Sequence, residues 1–208
     1  MCELFGICSS EPFEANELLE SFYNHSAEHK DGWGLAVFRR GAVSMEKEPV
    51  KAIDSLYLRQ RLSCRVEGSN LLAHIRLATI GQINYSNCHP FIWDDESGRA
   101  LNADERFRVL DDIIVRLSAD NKLNLIIYDG EIMYVHTNYR DSLNEWAASD
   151  KCVFCTRPLP TGSWHALPMN QLLAYKVGRR IKCGTIHYNE FLDEDHDFAT
   201  LYSAFSEL

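Results

Sequence analysis

The chain has 208 residues, 46% of them hydrophobic, 11% aromatic and 25% charged, which excludes a disordered chain and suits one compact domain spanning residues 1–208. Lys and Arg number 21 against 30 Asp and Glu, a formal net charge of −9. A surface this acidic repels phosphate backbones and anionic lipid, so neither nucleic acid nor a membrane is expected as a partner.

No run approaches the roughly 18 apolar residues of a membrane span. The opening Met1-Cys2-Glu3-Leu4-Phe5-Gly6 lacks the basic start and apolar stretch of a secretory signal. Seven cysteines, at 2, 8, 64, 88, 152, 155 and 183, are odd in number and scattered. Reduced thiols in a cytoplasmic protein are therefore expected rather than a disulfide framework.

Leu4 to Cys8 is a short apolar run, read as a buried strand. Glu14 to Asn24 places Leu18, Leu19, Phe22 and Tyr23 at helical spacing. Gly34–Arg39 and Ala42–Lys47 flank Arg40-Gly41 as a hairpin. Asp54–Leu62 reads as a short helix capped by Asp54, and Asn70–Ile75 as a strand that breaks at Arg76. A polar loop from Ala78 to about Ala103 leads into a helix, Asp104–Ser118, with Phe107, Leu110, Ile113, Ile114 and Leu117 on one face. Asp129-Gly130 between two apolar runs, Leu123–Tyr128 and Ile132–His136, is the strongest hairpin signal. Strands are expected at Lys151–Thr156, Leu172–Lys176 and Arg179–Cys183, and a helix at Phe198–Phe205. Hairpins interrupted by helices predict an α+β fold with largely antiparallel sheets.

Three constellations could carry chemistry. Methionine is normally trimmed before a small residue, which would leave Cys2 as the N-terminus. A terminal cysteine joins a thiol nucleophile to its own α-amine, whose pKa of about 8 lets it accept and return a proton; the bland alternative is a small residue leading into a strand. Asp31-Gly32-Trp33-Gly34, preceded by His25 and His29, permits a tight backbone path or is simply a turn with a buried Trp. In His74-Ile75-Arg76-Leu77-Ala78-Thr79-Ile80-Gly81, the guanidinium of Arg76 can grip a carboxylate with Thr79 beside it, or serve a structural ion pair.

In this order, and with Asn87-Cys88-His89-Pro90-Phe91 following, these motifs resemble the class II glutamine amidotransferases, closest to the small single-domain bacterial type. The resemblance implies an N-terminal nucleophile hydrolase-like sandwich of two antiparallel sheets flanked by helices. It implies that Cys2 attacks the side-chain amide of L-glutamine, or of a γ-glutamyl amide, and that the resulting thioester is hydrolysed. Arg76 would hold the α-carboxylate, Thr79 would assist, and the backbone of Gly32, Trp33 and Gly34 would line the pocket. Gly81 and His89 are expected to shape loops, and His74 to be a satisfied core histidine.

The family usually continues from His-Pro into His-Asn-Gly, whose Asn and Gly form the oxyanion hole, and then into a Thr-Asp segment that binds the substrate amine. Neither follows Phe91. A missing segment with a backbone break between about Gly98 and Leu101 is therefore expected, and Asn102-Ala103-Asp104-Glu105 reads as a capped helix start. Without the oxyanion segment, the alternative is an inactive glutamine-binding or regulatory subunit. Cys152-Val153-Phe154-Cys155 has no partner motif at zinc spacing and reads as buried free thiols. His187, His196 and Asp193-Glu194-Asp195 read as solvated surface. No dinucleotide or phosphate loop is present. No cofactor or metal is expected, and any ammonia acceptor would be a separate synthase subunit.

Overall fold

The computed structural model describes residues 2–39, 42–78, 81–93 and 101–192. In chain order its elements are β1 (Glu3–Glu14), α1 (Asn16–Asn24), β2 (Trp33–Arg39), β3 (Ala42–Glu48), α2 (Leu56–Leu62), β4 (Glu67–Ile75), α3 (Ala103–Ser118), β5 (Asn124–Tyr128) and β6 (Met133–Thr137). There follow β7 (Asn144–Ala147), β8 (Lys151–Cys155), β9 (His165–Ala166), β10 (Leu173–Lys176) and β11 (Arg179–Cys183). Two antiparallel sheets result, one ordered β3-β2-β4-β1-β8-β7-β9 and the other β11-β10-β6-β5. This is the α+β sandwich anticipated above. Among the described residues no helix is long and apolar enough to cross a membrane.

Alternation along the central strand sorts the interior into layers. Phe5 and Ile7 of β1 pack with Leu19, Phe22 and Trp33 under α1, whereas Cys8 packs between the sheets with Val135, Phe154 and Tyr175. A Cβ on Gly6 would press on the Ile126 side chain of β5, so Gly6 also faces the second sheet. Cys152 and Cys155 fall on opposite faces of β8, one in each core, and both are free. Burial pushes each thiol up to about 12.

Several local signals act otherwise than the spacing suggests. The cap of α2 is Ser55, whose Oγ accepts the Leu58 amide at 2.9 Å, while Asp54 lies in the preceding 3₁₀ turn. At α3, Asn102 and Glu105 form a reciprocal capping box, as expected. Its buried face is Phe107, Asp111, Ile114 and Ser118, and Ile113 and Leu117 are exposed. The helix is turned so that Asp111 can accept from the Thr185 amide and hydroxyl at 2.7–3.1 Å. Satisfying a buried carboxylate outweighs two more apolar contacts.

His187 is also corrected: it is buried, with Nε2 3.1 Å from His136 Nε2. The chain after β11 runs back across the second sheet, and the His187 and Phe191 amides donate to Asn170 and Asn138. Met1, the Arg40-Gly41 tip, residues 94–100 with the expected break, Asp193–Asp195, His196 and the Phe198–Phe205 helix lie outside the described residues.

Candidate active site

Because β1 and β4 pair with Glu3 opposite Ile75 and Leu4 opposite His74, Cys2 and Arg76 come from adjacent strand ends. Cys2 is half-buried, and its thiol donates to the Leu77 carbonyl at 3.5 Å. Arg76 is buried; its amide donates to the Gly32 carbonyl and its carbonyl accepts from the Asp31 amide, at 2.8 and 3.0 Å. Asp31 adds a carboxylate bond from the Ala78 amide at 2.9 Å. The Asp31–Gly32 turn and the end of β4 are thus held as one piece. The Arg76 guanidinium points into the loop beyond, where Nη1 donates to the Gln82 carbonyl at 3.0 Å. Gly81 makes that turn at a φ of +87°, a conformation that favours glycine.

The two glycines flanking Trp33 serve the loop at 88–90. A Cβ on Gly32 would stand 2.7 Å from the Cys88 sulfur, and one on Gly34 would collide with the His89 carbonyl. The Trp33 side chain is fully buried in the core; its Nε1 donates to Glu48 at 3.2 Å, and its ring stacks on Tyr57. Gly32, Trp33, Gly34 and Arg76 do not line the cleft beside Cys2. Thr79 lies outside the described residues.

That cleft has a volume of about 1550 Å³. Cys2, His74, Leu77 and His89 line it near the strand ends, and Leu72 and Ile126 line it further along. It exists because β5 is the edge of the four-stranded sheet while the larger sheet continues past it through β4, β2 and β3. On that inner face, register puts Leu4 beside His74 in one row and Leu72 beside Ala36 in the next, and all four line the cleft.

Two polar clusters flank Cys2. The rings of His74, His89 and Phe91 pack in sequence at a tilt, with centroids 4.5 and 4.3 Å apart. Burial, reinforced by His89 and Arg76, drives the His74 pKa down to about 3, and burial likewise lowers that of His89. His89 is therefore part of the cleft wall as well as a loop residue. Across the sheet, the buried Glu3 carboxylate meets His25 Nδ1 at 2.7 Å, Arg157 at 3.2 Å and His29 Nδ1 at 3.6 Å. Sequence reasoning missed this cluster, although His25 and His29, four residues apart before the Gly-Trp-Gly turn, were a visible signal. Among the described residues no group of three or more His, Cys, Asp and Glu could hold a metal ion.

Residues 1–101 match the family profile described as "Glutamine amidotransferases class-II". An uncharacterized protein of Methanocaldococcus jannaschii is 37% identical over 92 residues, which are 44% of this chain and 26% of that protein. A "Putative glutamine amidotransferase" of Haemophilus influenzae is 32% identical over 95 residues, 44% of this chain and 32% of that protein. The matched stretch thus spans only a quarter to a third of these relatives. The glutamine phosphoribosylpyrophosphate amidotransferase from B. subtilis superposes with a TM-score of 0.60 at 15% identity, covering 91% of this chain and 50% of that one. A glutamine aminotransferase class-II domain protein from Silicibacter pomeroyi gives 0.58 at 15% identity, covering 90% of this chain and all of that one. Residues 1–101, just under half of the chain, thus match the class II glutamine amidotransferase family, and the described chain shares the N-terminal nucleophile hydrolase fold of these structures.

Proposed function

We propose that the protein is a glutaminase-type amidohydrolase that releases ammonia from L-glutamine through a thioester on Cys2. The observation that carries this reading is the half-buried Cys2 thiol at the mouth of the cleft, on the strand end beside Arg76. With Met1 removed, the Cys2 α-amine takes the thiol proton, and the sulfur attacks the carboxamide carbon. The same proton leaves with ammonia, and water then hydrolyses the thioester. Arg76 receives the α-carboxylate on the loop side, exchanging its bond to the Gln82 carbonyl for two charge-assisted bonds. Thr79 assists Arg76 in holding the substrate. Gly32, Trp33 and Gly34 support the site from beneath by seating the 88–90 loop. Ammonia leaves for a separate acceptor subunit.

Cys2→Ala is expected to abolish ammonia release while leaving the thermal unfolding midpoint within a few degrees of the unaltered protein. Undiminished release from Cys2→Ala would refute the reading. Glutamine binding without any turnover in the unaltered, Met1-free protein would instead mark an inactive binding subunit.

A further inference from the structure

Attack on a carboxamide by the Cys2 sulfur moves an electron pair onto the amide oxygen. A positioned hydrogen-bond donor to that oxyanion is worth roughly 100- to 1,000-fold in rate. The hydrogen-bond partner of the Cys2 thiol, the Leu77 carbonyl, is an acceptor and cannot serve.

A donor of the right kind stands on the neighbouring strand. Leu4 is opposite His74, so Cys2, two residues earlier, is on the same face and diagonal to the His74 ring. Such diagonal neighbours lie about 7–8 Å apart in an antiparallel pair, within reach of long side chains. An oxygen bonded to a carbon on the Cys2 sulfur bridges that interval. Both residues line the same end of the cleft. His74 is buried, and its Nδ1 makes no hydrogen bond although it is out of contact with solvent. An unpaired buried polar atom costs on the order of 1–3 kcal/mol and calls for a reason. The ring is held by the tilted His89 ring packed against it, and His89 is held in turn because its carbonyl lies against Gly34.

We infer that His74 is a catalytic residue, its neutral imidazole N–H donating to the oxyanion of the tetrahedral intermediate formed at Cys2. The C–S bond forms as the C=O pair shifts to oxygen, and His74 donates without transferring its proton. The pair then returns to re-form C=O as the C–N bond breaks, and the leaving nitrogen takes the proton held by the Cys2 amine. A neutral ring suits this task, because burial, with His89 and Arg76 beside it, opposes a positive charge there. The assignment rests on the proposed Cys2 chemistry.

The test compares glutamine hydrolysis with alkylation of Cys2 by iodoacetamide, a displacement that creates no oxyanion. For His74→Phe, kcat is expected to fall about 100-fold or more. KM, the pH profile and the iodoacetamide rate should stay within threefold. His74→Gln, which keeps an N–H donor, should recover at least a tenth of the lost rate. Hydrolysis by His74→Phe within threefold of normal, or an equal loss of iodoacetamide reactivity, would overturn the role of His74 and leave the Cys2 reading intact. Absence of ammonia release from the unaltered Met1-free protein would overturn both.

Discussion

At the scale of single residues, the site is built by backbone more than by side chains. Arg76 is tied through its own amide and carbonyl to Gly32 and Asp31, so the guanidinium leaves a platform that the strand end cannot release alone. Its planar fork, unlike an ammonium, can offer two parallel donors to one carboxylate. Arg76→Lys should therefore raise KM for glutamine about tenfold or more, equivalent to about 1.4 kcal/mol of binding, with a smaller change in kcat. Steady-state kinetics decide this, and an unchanged KM would remove Arg76 from the binding site. Cys2, Arg76 and the order of the motifs stand out in the sequence because each carries unusual chemistry at an unusual place. The covered position of Gly32 and Gly34 does not, since nothing local announces that the 88–90 loop folds back onto them.

Elements follow the same division between local and distant causes. Phe22 and Tyr23 are buried on α1 and Asn102 caps α3, both decided by residues within one or two turns. The face of α3 depended on Thr185, 74 residues away from Asp111, and so could not be read from helical spacing. The strands β7 and β9 escaped notice because they are four and two residues long and find their partners through β8 and β7. At α2, Ser55 both accepts from Leu58 and donates to Glu48, which also holds the Trp33 indole. Ser55→Ala removes the cap and one partner of the half-buried Glu48 carboxylate, for an expected loss of about 1–2 kcal/mol. Chemical denaturation would register this as a lower midpoint at unchanged slope; an unshifted midpoint would count against the cap.

Across the whole molecule, buried neutral histidines link stability to pH. The His136 Nδ1 donates to the Leu123 carbonyl at 3.0 Å, and the His187 Nδ1 accepts from the Asn189 amide at 3.3 Å. These bonds fix the tautomers, so the His187 Nε2–H donates to the His136 Nε2 and pins the segment after β11 to β6. Burial holds the His136 pKa at about 4 and that of His74 at about 3, and lowers that of His187. An unfolded histidine titrates near 6.5. Between these values the unfolded chain binds more protons, so stability rises with pH. The stabilisation is fully present above about 6.5 and is lost as pH falls toward the folded-state values. Denaturant midpoints should therefore drop between pH 6.5 and 4.5, and the slope should flatten in His136→Gln. Identical slopes in the two proteins would contradict the coupling.

The central claim is that Cys2 is the one nucleophile facing a glutamine site. Cys64 and Cys183 are exposed and compete for any indiscriminate reagent, whereas Cys8, Cys88, Cys152 and Cys155 are buried. Peptide mapping after exposure of the Met1-free protein to a diazoketone analogue of glutamine separates these cases. We predict a single adduct, on Cys2 among the seven cysteines, suppressed by excess glutamine. No adduct on Cys2, or labelling of Cys2 that glutamine leaves undiminished, would contradict the account.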